Sequence, residues 1–188
     1  MEPKEGGNRM VLYGTQRLDH RSQAYDLLAR AAENHWGFTQ LPTIQRGPHG
    51  KPYFADLEHH AFNLSHTGAI ALCVLDEAPV GVDIQIIKEW RPRLPQRVCS
   101  PQELAWLEDG PDFWARFTQL WALKECRAKY DGTGLTRTLS EIAVPLPAEQ
   151  EALCALDGLW FRTYQGNGWC GAVCGCCPPP REIIWLSL

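Results

Sequence analysis

The sequence predicts an α+β fold made of two similar halves, each with a helix and a small antiparallel sheet. Apolar residues recur at helical spacing over residues 22–36, and a second such stretch begins near Phe113. Short apolar runs bounded by glycine and proline are typical of strands. A helix with strands, occurring twice along the chain, is the pattern expected of two α+β halves packed about a pseudo-twofold axis. We place the N-terminal half at residues 1–79 and the C-terminal half at 80–188.

The N-terminal half begins with MEPKEGGNRM, which lacks the apolar segment of a secretory signal and predicts a short flexible lead. Its helix carries apolar residues on one face and is expected to end near Gly37, because glycine readily adopts the left-handed conformation that terminates helices. Strands are predicted at 41–45, 51–54, 60–65 and 69–75.

The C-terminal half opens with a β-branched run at 80–87, and the four residues 76–79 predict a hairpin connection to the strand before it. Residues 100–103, Ser-Pro-Gln-Glu, predict a helix start, since serine suits the N-cap, proline the first position and glutamate the capping box. Gly132 is expected to end the second long helix. Further strands are predicted at 140–144, 158–164, 169–175 and 182–187, with residues 165–168 as a turn.

Composition excludes several classes of protein. The 188 residues are 45% hydrophobic, enough to bury a core, but no run of 18 apolar residues could span a membrane. The net charge of −4 argues against a general nucleic-acid binder. A local basic patch at Arg91, Arg93 and Arg97 is either a docking surface for an acidic partner or a solvated loop. We expect a cytoplasmic protein, because no secretory signal is recognised.

Charged residues interrupt the apolar stripe of the second helix. Continuing the stripe of Phe117 and Leu120 by one turn brings Lys124 and Glu125 to the buried face, and Lys129 follows one turn later. An isolated buried charge is costly, so such residues must be paired or hydrated, as they are in a functional site. The alternative is a solvated pair between Glu125 and Lys129 worth about 0.2–0.5 kcal/mol.

Asp83 lies in the middle of the run 80–87, although aspartate is depleted in strands. Alternation places Val82, Ile84 and Ile86 on one face and Asp83 with Gln85 on the other. Asp83 is therefore either a functional carboxylate or a side chain on the solvated face of a half-buried sheet.

The segment FNLSHTG at 62–68 contains Ser65 and His66. Neighbouring residues of a strand point to opposite faces, so these two are poorly placed to act as a Ser–His nucleophile pair. We interpret both as phosphate ligands.

Three segments together resemble a known enzyme family. FNLSHTG (62–68), GVDIQ (81–85) and WALKECRAKYDGTGL (121–135) look like the signature blocks, in order, of the 4'-phosphopantetheinyl transferases of the surfactin-synthetase-activating type. Weaker similarities to the same family occur at residues 46–52 and 98–104. The resemblance implies transfer of phosphopantetheine from coenzyme A, the co-substrate, to a serine of an apo acyl or peptidyl carrier protein. It also implies the α+β fold of two halves, for which a monomer is plausible.

The resemblance also implies a metal site. Asp83 and Glu125 match the family's ligands for Mg²⁺, with Mn²⁺ as the other candidate, and Glu125 is also the candidate general base for the serine hydroxyl. Many relatives carry glutamate at the position of Gln85. Here the amide oxygen of Gln85 or a water would complete the coordination.

The same resemblance assigns the phosphate contacts. Lys129 is expected to grip the pyrophosphate, with help from Lys124, and Lys51 is expected to reach the nucleotide. The residues expected at the 3'-phosphate are Arg21, Arg46, Ser65 and His66. For Arg21 and Lys51 the alternative is a solvated charge on a helix or loop. Trp121 is expected to be core packing rather than a ligand.

Two other classes of function remain open. One is a non-catalytic module that binds coenzyme A or a carrier protein, for which Gln85 is the hint. The other is a zinc-binding interaction protein built on the C-terminal cysteines, Cys170, Cys174, Cys176 and Cys177. Their spacing lacks the paired knuckles of zinc sites, which favours buried thiols acting as small hydrophobic groups.

Overall fold

The computed structural model describes residues 10–134, 138–147 and 151–188. The predicted lead at 1–9 and Leu135, the last residue of the third signature block, lie outside these residues. Within them the chain forms a mixed α+β structure, which confirms the predicted class. The pseudo-twofold relation between the halves stays a prediction.

The helices and strands alternate along the chain. They are β1 (Val11–Thr15), α1 (Ala24–Trp36), β2 (Ile44–Arg46), β3 (Pro52–Phe54), β4 (Ala61–Thr67), β5 (Ile70–Asp76), β6 (Val80–Ile86), α2 (Leu94–Val98), α3 (Pro101–Glu108), α4 (Phe113–Asp131), β7 (Leu153–Leu156), β8 (Leu159–Gly166), β9 (Trp169–Gly175) and β10 (Ile184–Trp185). Short 3-10 turns lie at Arg21–Gln23 and Leu139–Glu141. No helix among the described residues has both the length and the apolar character needed to cross a membrane.

Two four-stranded sheets form the centre of the structure. The first has the order β10-β1-β5-β4 and the second the order β6-β9-β8-β7, while β2 and β3 form a separate hairpin. Helix α1 packs on the first sheet and α4 on the second. Side chains from both sheets share a third apolar cluster, which joins the two halves. Alternation along β6 places Val82 and Ile84 in that cluster.

The predicted hairpin between 69–75 and 80–87 is wrong. Strand β5 pairs with β1 and β4, whereas β6 pairs with β9, so residues 76–79 lead from one sheet to the other. The C-terminal strand, expected in the second half, instead pairs in parallel with β1 of the first sheet. The chain therefore returns to its first half at its end, across the predicted boundary at residue 79.

The strand predicted at 140–144 is also wrong. Residues 139–141 form a 3-10 turn, and Ile142 and Val144 pack against α4 without joining a sheet. Their i, i+2 spacing resembles a strand because both side chains face the helix. The predicted capping box of Ser100 and Glu103 at the start of α3 is present, and Gly132 ends α4 in the left-handed conformation with φ of 67°.

Gly81 allows β6 to approach α4 closely. A methyl group at this position would overlap the carbonyl oxygen of Cys126 and would lie 2.8 Å from the backbone nitrogen of Tyr130. Both are backbone atoms of α4, so they cannot turn aside as a side chain could. The glycine therefore fixes the spacing between the strand that carries Asp83 and the helix that carries Glu125.

Replacing Gly81 with alanine tests this spacing. We expect Gly81→Ala to lower the free energy of unfolding by about 1–3 kcal/mol, the usual cost of overpacking, measured by urea denaturation. Gly47→Ala is the matched control, because its methyl would meet only the Lys51 carbonyl oxygen at 3.7 Å. Equal losses for both variants would contradict the proposed steric limit.

Candidate active site

Asp83 is buried and fully hydrogen bonded. Only 2% of the residue is exposed, so the alternative of a carboxylate on a solvated sheet face is wrong. The Ser65 hydroxyl donates to Oδ1 at 2.8 Å, and the Lys129 ammonium donates to the same oxygen at 2.7 Å. The amide of Gln85 donates to Oδ2 at 2.8 Å. Aspartate is disfavoured in the middle of a strand, and here three hydrogen-bond donors stabilise its buried carboxylate.

Lys129 reaches from α4 to β6. Its ammonium donates to Asp83, to the Ser65 hydroxyl at 3.0 Å and to the Val82 carbonyl oxygen at 3.0 Å. None of the ion pairs within the described part of the chain joins Lys129 to Glu125, so the solvated i,i+4 pair is not formed. Lys129 instead neutralises the buried aspartate across the two elements.

Glu125 lies beside this pair on α4 and is partly buried. Burial raises the pKa of its carboxyl group, and the nearby charge of Asp83 raises the pKa further, while Lys129 opposes both effects. Across the described residues, no hydrogen bond or ion pair engages the Glu125 carboxylate. A partly buried carboxylate next to a second one is of a type that could serve as a ligand for a cation.

This donor set fits a divalent cation. Carboxylate and amide oxygens suit Mg²⁺ or Mn²⁺, and Asp83, Glu125 and Gln85 could supply them. Gln85 is neutral and donates its amide hydrogen to Asp83, so its first role here is to orient that carboxylate. The proposed set contains only two carboxylates. In the described ranges, no group of three or more His, Cys, Asp or Glu side chains could hold a metal ion.

Lys124 does not belong to the site, which corrects the expected contact with pyrophosphate. Only 1% of Lys124 is exposed, and its ammonium lies 2.7 Å from the Glu103 carboxylate. It also donates to the carbonyl oxygens of Leu139 at 2.8 Å and Ile142 at 2.9 Å. All three of its hydrogens are therefore used, and Lys124 fixes the 3-10 turn after α4 to helix α3.

A cavity of about 220 Å³ opens beside Glu125 and Lys129. Residues from both predicted halves line it, namely His49, Gly50, Lys51, Pro52, Asn63, Leu64, Glu125, Ala128, Lys129, Gly132 and Gly134. The Lys51 ammonium donates to the carbonyl oxygens of Val80 at 3.2 Å and Tyr130 at 3.1 Å. Burial lowers the pKa of Lys51. Lys51 therefore connects the loop before β3 to both β6 and the end of α4.

A second group of basic side chains lies next to His66. Burial lowers the pKa of His66, and the nearby charges of Arg21 and Lys129 lower it further. The charge of Arg21 thus acts on His66, and their shared contact with a 3'-phosphate stays a prediction. Arg46 instead donates to the Gly50 carbonyl oxygen at 2.9 Å and to the Tyr25 hydroxyl at 3.2 Å, contacts that hold the loop leading to Lys51.

The C-terminal cysteines divide into buried and exposed pairs. Cys170 and Cys174 are buried in β9, and Cys176 and Cys177 are exposed after it. The Cys174 thiol donates to the Cys126 carbonyl oxygen at 3.4 Å, as expected of a buried thiol that packs as a small apolar group.

Sequence reasoning missed two polar side chains of the cavity, those of His49 and Asn63. His49 lies in the segment that precedes Lys51, which was noted only as a weak echo of the family. Asn63 belongs to the first signature block, and its buried amide was a signal, since asparagine is depleted in strands.

Comparison with known proteins gives the family. A model described as ACPS, the 4'-phosphopantetheinyl transferase superfamily, matches residues 79–174, a range that contains Asp83, Glu125 and Lys129. The chain is also 33% identical over 157 residues to a 4'-phosphopantetheinyl transferase of Bacillus subtilis, covering 79% of this chain and 70% of the relative. The chain belongs to the 4'-phosphopantetheinyl transferase superfamily.

Other members of the superfamily match over most of the chain. The transferase Sfp of Bacillus subtilis (strain 168) is 31% identical over 147 residues, which cover 74% of this chain and 66% of Sfp. The match thus leaves about a third of Sfp uncovered. The transferase AcpT of Salmonella typhi is 35% identical over 139 residues, covering 71% of this chain and 69% of the relative.

The structural role of Lys124 in this family member can be tested by substitution. We expect Lys124→Met to reduce the free energy of unfolding by about 3–5 kcal/mol, because it leaves the buried Glu103 carboxylate without its cation. The double variant Lys124→Met with Glu103→Gln should lose less, as urea denaturation would measure. If Lys124→Met instead bound coenzyme A more weakly without losing stability, Lys124 would be a phosphate contact as first expected.

Proposed function

We propose that this chain transfers the 4'-phosphopantetheine group of coenzyme A to a serine hydroxyl of an apo carrier protein, with Mg²⁺ as its cation. The observation that carries the proposal is that Glu125 and Lys129 of α4 line a cavity formed by both predicted halves, while Lys129 is paired with the buried Asp83 of β6. Membership in the superfamily supports assigning phosphopantetheine transfer to this arrangement.

The reaction requires residues that position the phosphates of coenzyme A and neutralise their negative charge. The serine oxygen attacks the β-phosphorus of coenzyme A, the bond to the bridging oxygen breaks, and adenosine 3',5'-diphosphate leaves. When bound, the cation would polarise the phosphoryl oxygens as a Lewis acid. Asp83 and Glu125 would hold it, and Gln85 would keep Asp83 oriented. The three hydrogens of the Lys129 ammonium go to Asp83, Ser65 and Val82, so Lys129 would act on the pyrophosphate through its charge at the border of the cavity.

Glu125 is also the candidate acceptor of the serine proton. Burial and the charge of Asp83 raise its pKa, and a cation held by the same carboxylate would lower it again. It lacks hydrogen-bond donors among the described residues, so its oxygens are free to accept one.

The nucleotide end of coenzyme A would lie along the first half. Lys51 lines the cavity, and near one end of β4 Arg21 provides positive charge while His66, whose lowered pKa favours the neutral ring, offers a ring N–H donor. A 3'-phosphate on the nucleotide is the anion that this pair would recognise. Arg46 would contribute by shaping the loop rather than by contact, because its guanidinium already binds Gly50 and Tyr25.

The carrier protein would dock on the basic groove that follows β6. This groove is lined by Arg91, Pro92, Arg93, Leu94 and Arg97, and its three arginines are exposed. An acidic surface is the complementary partner, and the carrier proteins modified by this family are typically acidic. We also propose that the two halves are related by a pseudo-twofold axis and that the protein acts as a cytoplasmic monomer.

Loss of either carboxylate should stop the reaction. We expect Asp83→Asn and Glu125→Gln each to lower the transfer rate at least about a hundredfold, because each removes a charged ligand of the cation that would stabilise the transition state. The measurement is the intact mass of an apo carrier protein incubated with coenzyme A and Mg²⁺, which gains about 340 Da when its serine is modified. The exposed Glu108→Gln on α3 is the control and should keep full activity.

The same assay separates the alternatives. A non-catalytic coenzyme A module would leave the carrier mass unchanged in the wild-type protein as well. Near-native turnover of Asp83→Asn would contradict the assignment of the metal ligands.

Charge reversal tests the docking surface. We expect the triple change of Arg91, Arg93 and Arg97 to glutamate to raise KM for the carrier protein about tenfold at low salt, because electrostatic steering is lost. KM for coenzyme A should stay unchanged, and the difference should shrink as salt increases. Arg181→Glu, at another exposed arginine, is the control. An unchanged KM for several carrier proteins would place the docking surface elsewhere.

A further inference from the structure

Strands β4 and β6 meet through side chains and not through a backbone ladder. Strand β4 pairs with β5, and β6 pairs with β9, so the facing edge of β6 needs other partners for its amide groups. Asn63 Oδ1 accepts from the Val82 amide at 2.9 Å, and Ser65 Oγ accepts from the Ile84 amide at 3.3 Å. The two side chains follow the period of the strand and fix β4 along the strand that carries Asp83.

The Ser65 hydroxyl uses its full hydrogen-bonding capacity within the protein. A hydroxyl has one hydrogen to donate and two lone pairs to accept with. Ser65 donates to Asp83 Oδ1 at 2.8 Å and accepts from the Ile84 amide and from Lys129 Nζ at 3.0 Å. Only 7% of the residue is exposed. Its single oxygen thus touches both members of the Asp83–Lys129 ion pair.

This geometry conflicts with the contact expected from the resemblance. A phosphate oxygen accepts hydrogen bonds, so a serine that binds phosphate must donate its hydrogen to it. The hydrogen of Ser65 is directed to Asp83 instead, and a switch to phosphate would remove one donor from a buried carboxylate. His66, the next residue, points to the other face of β4, so it has no such conflict.

We propose that Ser65 is a positioning residue for Asp83 and Lys129, and not a ligand of the 3'-phosphate. It holds the carboxylate and the ammonium in register, while its contact with the Ile84 amide ties both to the backbone of β6. This proposal rests on the proposed transferase function, since it concerns the same site. It adds a residue whose effect on the reaction is transmitted through Asp83 and Lys129.

The test compares coenzyme A with its 3'-dephospho form. For Ser65→Ala we expect kcat/KM to fall about 10–100-fold by the same factor for both substrates, because an orienting partner of a metal ligand is lost. For His66→Ala, the matched control on the same strand, the fall should be larger for coenzyme A than for the dephospho form. The ratio of the two substrates is independent of the fraction of folded enzyme. A selective loss for coenzyme A in Ser65→Ala would overturn the proposal, as would unchanged activity.

Metal binding gives a readout apart from activity. Titration calorimetry with Mn²⁺ alone should show about tenfold weaker binding by Ser65→Ala than by the wild type, the scale of a lost orienting hydrogen bond. His66→Ala should bind Mn²⁺ as the wild type does, and Ser65→Thr, which keeps the hydroxyl, should recover most of the affinity. Equal Mn²⁺ affinity in the wild type and Ser65→Ala would overturn the orienting role.

Assays of the wild-type protein distinguish a failure of the transferase function from a failure of the proposed role of Ser65. If wild type fails to add mass to a panel of apo carrier proteins with coenzyme A, the transferase function fails. If wild type is active and Ser65→Ala alone discriminates against coenzyme A, the function stands and only the role of Ser65 fails.

Discussion

The structure of the site depends on the ion pair between Asp83 and Lys129. Asp83 is almost fully buried on β6, and a buried carboxylate is stable only when it is paired and hydrogen bonded. Lys129 supplies the charge at 2.7 Å from the opposite element, α4. The pair therefore holds the helix to the strand and sets the place of Glu125, one helical turn before Lys129. A chain that lost this pair would leave an uncompensated charge in its interior.

The halves depend on each other around this pair. The missing side chain of Gly81 lets the strand approach the helix, and Lys51 from the first half donates to carbonyl oxygens of both. Tyr130, one of these acceptors, lies in the last turn of α4, where a cation is favoured by the helix dipole. The cavity consequently has walls from both halves, and neither half would form it alone.

The sequence predicted the residues of the site better than it predicted the pairing of the strands. The alternation around Asp83 and the stripe of α4 identified the right side chains, because both periodicities are local properties of the backbone. The partners of β5 and β6 were predicted wrongly, since four intervening residues suit a hairpin as well as a crossing between sheets. Lys124 and Lys129 could not be told apart either. Their difference lies in Glu103, which only the fold brings within 2.7 Å of Lys124.

The neutral residue at position 85 changes the electrostatics of this centre. With glutamine there, the charges of Asp83, Glu125 and Lys129 sum to −1, whereas a glutamate would make the sum −2. A less negative site attracts a divalent cation less strongly, since the attraction scales with the product of the charges. The glutamine amide also donates to Asp83, which a carboxylate could not do. In the proposed metal site, Gln85 would therefore exchange metal affinity for a better-oriented Asp83, and the Ser65 hydroxyl donates to the other oxygen of the same carboxylate.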